Sequence, residues 1–177
     1  MLSLEVTNIE EFKKIFESIK ELDIIETNLI FNDKNVSLEN MDTSHTSLVF
    51  LKLQKDYFKE YECNNTIEFG LNIIIFCKIL KACNNVDNLI IQKQMDSNQL
   101  DIIIKSNEGI QEFFVPEMDI LQDNLQMEDN DYNFEFLIIP ENYSNIINNI
   151  SIVEGNDCNI CYKNNKLEFS SSGDLGK

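Results

Sequence analysis

Residues 1–22 read MLSLEVTNIEEFKKIFESIKEL, and the fold is decided by how this stretch is read. Leu2, Leu4 and Val6 alternate with Ser3 and Glu5, the period of a strand with one buried face. Asn8 can cap a helix, and from Ile9 to about Leu22 the residues Phe12, Ile15, Phe16, Ile19 and Leu22 recur on one helical face. Two strands follow, Asn28 to Phe31 and Val36 to Met41, around the polar turn Asp33-Lys34-Asn35. The pattern then returns. Thr66 to Phe69 leads through Gly70 into a helix expected over Leu71 to Cys83, and Leu89 to Gln92 and Leu100 to Ile104 flank Asp96-Ser97-Asn98. A third copy starts with a strand over Phe134 to Ile139 and has Pro140 in a first helical turn. Its helix runs to about Ile150, and strands around Ile160 and Leu167 turn at Asn164-Asn165. Helices starting near residues 9, 71 and 141, roughly 60 to 70 residues apart, mark an internal repeat.

The organisation is therefore α+β, built from repeated β-α-β-β units with helices on one face of antiparallel sheets. Two units occupy residues 1–115, an acidic segment with Pro116 at its head occupies 116–133, and one unit occupies 134–177. By the logic of the repeat, the second domain is expected to be a first half, with a matching fourth unit outside this sequence.

The composition is that of a globular protein, with 43% hydrophobic and 25% charged residues among 177. Apolar runs such as Ile73 to Cys77 end at Lys78, well short of the ~20 residues that span a bilayer. The N-terminus carries acids where a secretory signal needs a basic start, so the protein is expected inside the cell. Its five cysteines are odd in number and scattered, which points to reduced thiols. Acids outnumber basic residues 31 to 14, for a net charge of -17. All 14 basic residues are lysine. Without arginine the chain lacks the commonest side chain for bidentate reading of guanine. The lysines are also segregated: 11 precede Ser106, and none lies between Ser106 and Tyr162, where 12 acids fall. One part of the molecule can face a polyanion while the other repels it, because fields are screened over about 8 Å.

Catalytic constellations are lacking. His45 is the single histidine, and Asp42, Ser44 and His45 are too close in sequence to aim at one another as a triad. Cys158 and Cys161 have C-x-x-C spacing without a second pair to complete a zinc site. No glycine-rich phosphate loop occurs among the 5 glycines. No cofactor, metal or enzymatic activity is expected.

Three motifs occur in order: Met41-Asp42-Thr43-Ser44-His45-Thr46-Ser47-Leu48-Val49, the helix end Lys78-Ile79-Leu80-Lys81, and Phe169-Ser170-Ser171-Ser172-Gly173-Asp174-Leu175-Gly176. With the early Phe-Lys-Lys helix and the acidic segment, they make the chain resemble the proliferating cell nuclear antigen family of DNA sliding clamps along its whole length. The resemblance implies the DNA-clamp, or processivity, fold. It also implies a homotrimeric nuclear ring, or one at a viral replication site, that encircles double-stranded DNA without reading it. Partners would be a DNA polymerase, a clamp loader and replication and repair proteins carrying a short hydrophobic plug; no membrane is involved. Lys13, Lys14, Lys20, Lys78 and Lys81 would face DNA, since Lys13 and Lys20, seven residues apart, share a polar helix face. The third helix departs from the family by offering Asn145, Asn148 and Asn149 in place of basic residues. Client proteins would dock on Met41, His45, Thr46 and Leu48, with Leu125, Met127 and Tyr132 from the connecting segment and its end. Two other readings stand beside the replicative clamp: a specialised clamp with a different loader, and a shortened adaptor that binds clients without encircling DNA.

In the family, rings close when an edge strand, here about Gln111 to Val115, pairs with a neighbour's strand that begins beyond the terminal Ser-Gly-Asp-Leu-Gly run. The 177-residue product is therefore expected to be monomeric or aggregation-prone by itself, with a protease-sensitive region after about Asn133. Light scattering behind a sizing column tests this, and a discrete protease-resistant trimer would refute it.

Overall fold

The computed structural model describes residues 1–83, 88–121, 131, 134–152 and 157–173. Two compact units divide the chain, Met1–Met127 and Glu128–Lys177. The first begins with β1 (Leu2–Val6), α1 (Ile9–Glu21), β2 (Glu26–Phe31), β3 (Asn35–Met41) and β4 (Leu48–Gln54). A short 3-10 turn, Lys55–Tyr57, and β5 (Phe58–Cys63) lead to β6 (Ile67–Asn72), α2 (Ile73–Lys81), β7 (Asn88–Lys93), β8 (Gln99–Ser106) and β9 (Gly109–Pro116). In the first repeat α1 is followed by β2 to β5, and in the second α2 is followed by β7 to β9. Both repeats are longer than the β-α-β-β pattern that the sequence indicated, because the edge strands β4, β5 and β9 bury few of their residues and have weak periodicity.

Both helices start on an asparagine. The Asn8 side chain accepts a hydrogen bond from the Glu11 amide at 3.1 Å, and Asn72 accepts one from the Ile75 amide at 3.1 Å. Each cap satisfies one of the donors that a helix start leaves orphaned. In the second repeat this cap moves the strand-to-helix junction from Gly70 to Asn72. Leu71 and Asn72 belong to β6, so α2 is shorter than the expected Leu71 to Cys83.

The strands are exchanged between repeats. One antiparallel sheet has the order β5-β1-β7-β8-β9, the other β4-β3-β2-β6. The strand that precedes α1 therefore pairs with the strand that follows α2 (Leu4 opposite Ile91), and reciprocally Phe69 of β6 lies opposite Leu29 of β2. Both sheets and both helices bury one continuous core. Between the helices the rings of Phe12 and Phe16 stand 4.9 Å apart, and Phe76 meets Phe16 edge-on at 4.8 Å. Such pairs add about 0.5–1.5 kcal/mol to the burial of the rings themselves.

The second unit contains α3 (Pro140–Ser151) and a hairpin of β10 (Asn159–Lys163) and β11 (Lys166–Ser170). The hairpin turns on Asn164 and Asn165 with φ of 52° and 60°, the left-handed pair that a two-residue turn demands. Phe134 to Ile139 is not a strand. Its alternation predicts one, but no described strand pairs with it, and Phe134 instead stacks on Tyr162, with centroids 4.8 Å apart, and on Phe136. No described helix is long and apolar enough to cross a membrane. The five cysteines are free, three buried in the first unit and two exposed in the second.

Phe76 is fully buried and touches both phenylalanines of α1. Phe76→Ala is expected to destabilise the chain by about 3–5 kcal/mol, the cost of an aromatic cavity. Urea unfolding measures this, and a loss below about 1 kcal/mol would show that the helices are not held through this ring.

Candidate nucleic-acid interface and partner surface

Because α1 and α2 bury Phe12, Phe16 and Phe76 in the core, their outward sides carry lysines and acids, interrupted on α2 by the exposed Ile74 and Ile75. Lys14, Lys78 and Lys81 are exposed there and Lys20 is half-buried. An open cleft of about 480 Å³ is lined by Lys14, Lys20 and Lys81 with Glu17, Ser18 and Glu21. Lys20 Nζ lies 2.7 Å from Glu21 Oε1. That hydrogen bond raises the Lys20 ammonium above its ordinary value and lowers the Glu21 carboxyl. The surface is a mixed one, in which Glu21 already occupies the Lys20 ammonium.

Lys13 departs from the expected set. It is only 9% exposed, and its ammonium donates to Glu10 at 2.9 Å and to the Cys83 carbonyl at 3.4 Å. That carbonyl lies just past the C-terminal end of α2, where a helix favours a cation. Seven-residue spacing puts Lys13 on the same side as Lys20, but the neighbouring helix end captures its ammonium. On α3, Asn145, Asn148 and Asn149 are exposed, and the helix contains no lysine.

Among the candidate partner residues, Met41 and Leu48 lie directly opposite each other across the β3–β4 hairpin. Asp42 organises the loop between them. Its carboxylate accepts the amides of Thr46 at 2.7 Å and Ser47 at 2.6 Å, the Thr46 hydroxyl at 2.9 Å, and the Ser44 hydroxyl. The bond from Ser44, followed by that from the Ser47 amide, holds the Asp42 carboxyl far below the usual carboxylate range. His45, with φ of 57°, and Thr46 are exposed on this loop. The carboxylate is thus occupied in shaping the turn. Leu125, Met127 and Tyr132 lie outside the described residues.

The sequence missed several neighbours of this surface. A cleft of about 400 Å³ is lined by Met41 and Thr43 together with Ile24, Ile25, Ile120 and Leu121, while His45, Thr46 and Leu48 stay outside it. Phe50, 42% exposed, points to the same sheet face as Leu48 two residues earlier. The exposed apolar pair Ile25 and Leu121 is the one available signal, and it carries no periodicity. Among the described residues, no cluster of His, Cys, Asp or Glu is arranged to hold a metal ion.

Two exchanged repeats with paired helices beside two antiparallel sheets constitute the DNA-clamp fold. Residues 1–143 match the family model described as proliferating cell nuclear antigen, N-terminal domain, and the chain belongs to that family. It is 28% identical over 178 residues to the proliferating cell nuclear antigen of Chaetomium thermophilum, covering 99% of this chain and 68% of that protein. Against the proliferating cell nuclear antigen of Dictyostelium discoideum it is 29% identical over 167 residues, covering 93% of this chain and 64% of the relative. The chain thus spans about two thirds of the length of these relatives.

Asp42 yields a pH prediction. Because its carboxyl is depressed in the folded state, its contribution to stability is full above the unfolded value near pH 4 and is lost as pH falls through and below it. Asp42→Asn is expected to lower the melting temperature at pH 7, by an amount constant down to about pH 5 and shrinking on further acidification. Melting curves of both proteins across pH check this, and a difference independent of pH would remove the charge from the account.

Proposed function

We propose that this chain acts as a DNA sliding clamp, a processivity factor for DNA polymerase and a docking platform for replication and repair proteins. Family membership supports the reading, and the observation that carries it is the paired-helix surface with Lys14, Lys20, Lys78 and Lys81. Flexible ammonium groups bind phosphates as point charges without fixing a register, which is what sliding along duplex DNA requires. The proposed working assembly is a homotrimeric ring in the nucleus or at a viral replication site, opened by a clamp loader and without catalytic chemistry of its own. Met41, His45, Thr46 and Leu48, with Leu125, Met127 and Tyr132, form the proposed docking surface for hydrophobic client peptides. Lys13 is assigned to the tie between helices and left out of the phosphate-facing set.

Alanine at Lys14, Lys20, Lys78 and Lys81 is expected to shorten products on a primed circular template with polymerase and loader present. It is also expected to flatten the salt dependence of DNA association, by about 0.9 in the slope of log K against log salt for each phosphate no longer neutralised. Glu21→Gln, which releases Lys20, is expected to strengthen DNA association. If the fourfold variant matches the parent in both measurements, the lysines are a solvated face and the reading fails.

A further inference from the structure

Pro116 ends β9, yet the chain beyond it stays fastened to the first unit. The Glu117 amide donates to the Asn98 carbonyl at 2.9 Å, and the Glu117 carboxylate lies 3.4 Å from Lys93 Nζ. Lys93 is only 7% exposed; it also donates to the Ser97 carbonyl and sits over the Phe69 ring, 5.8 Å from its centroid. The Met118 amide donates to the Gly70 carbonyl at 2.9 Å, an isolated antiparallel bridge to β6. A Cβ at Gly70 would lie 2.1 Å from the Met118 carbonyl oxygen, so only glycine allows this approach. Asn28 Nδ2 then donates to the Ile120 carbonyl at 3.1 Å and to Glu68 at 2.7 Å. The ties come from β2, β6, β7 and the turn after β7, and they converge on Glu117, Met118 and Ile120.

This clasp carries the segment to the cleft where Ile120 and Leu121 join Met41. A buried ammonium is costly unless it is paired, and apolar residues in place of a whole buried ion pair are often no less stable. What a lysine adds there is a directional hold on Glu117.

We propose that Asn28, Gly70 and Lys93 are positioning residues for the client-docking surface. They hold residues 117–121 against β6, placing Ile120 and Leu121 across from Met41 and fixing where the connecting segment begins. The proposal rests on the docking reading given above. A wall fixed before binding spares the client the cost of ordering it, so loosening the clasp weakens affinity although no residue that touches the client is changed.

The test uses the 177-residue chain and two variants, Gly70→Ala, which pushes Met118 away, and Glu117→Ala, which removes the partner of Lys93. Hydrogen exchange at the Glu117 and Met118 amides reports the clasp, and urea unfolding reports the fold. Anisotropy of a fluorescein-labelled peptide, whose apolar plug is one leucine and two phenylalanines, reports docking. Both variants are expected to unfold cooperatively, to exchange these amides faster, and to bind the peptide roughly tenfold more weakly through faster release. Should Gly70→Ala fail to fold, Glu117→Ala, altered at a partly exposed side chain, decides alone. Unchanged exchange, or faster exchange with unchanged affinity, overturns the proposal while leaving the docking surface in place. A parent chain that does not bind the peptide overturns the docking reading and this proposal with it.

Discussion

The first unit depends on the strands exchanged between its two repeats. Because β1 lies in the sheet of the second repeat and β6 in the sheet of the first, neither repeat can close its own sheet. The two helices follow from this arrangement. Each emerges from an exchanged strand, so they arrive side by side, and Phe12, Phe16 and Phe76 fill the seam between them. The outward polar face, with its lysines, is what remains of two amphipathic helices once that seam is packed.

Much of this was legible in the sequence. The strand at Leu2–Val6, the helix capped by Asn8 and the hairpin turning on Asn164-Asn165 have strong local signals: alternation, a cap and residues that tolerate positive φ. What was not legible depends on tertiary context. The edge strands β4 and β9 lean on one neighbour each, and the strand expected at Phe134 to Ile139 lacks a partner among the described strands. Lys13 shows the same limit at the level of a side chain. Helical spacing gives its direction, but the carbonyl that captures it belongs to a residue seventy positions later. The Asp42 loop stands out in the sequence for its Asp-Ser-His run, and its chemistry is internal, four donors fixing one turn.

Charge is distributed with a similar economy. A chain with net charge of -17 carries five of its 14 lysines on α1 and α2, where acids such as Glu17 and Glu21 temper them. In the proposed sliding role, tempering suits a surface that would hold a polyanion loosely, since strong, geometrically fixed contacts would resist translation along it. The lack of arginine fits this requirement, because a compact, hydrated ammonium gives charge without the rigid fork that fixes orientation.

The exchanged strands also govern the order of events during synthesis. Leu2 pairs with Lys93, so the first strand made cannot find this neighbour until the second helix and the strand after it have left the ribosome. Pairings this distant close large loops and fold slowly, and the waiting chain exposes an unpaired apolar edge meanwhile. The interlock that gives the finished unit a single core therefore leaves its nascent form open to association until the second repeat has been made.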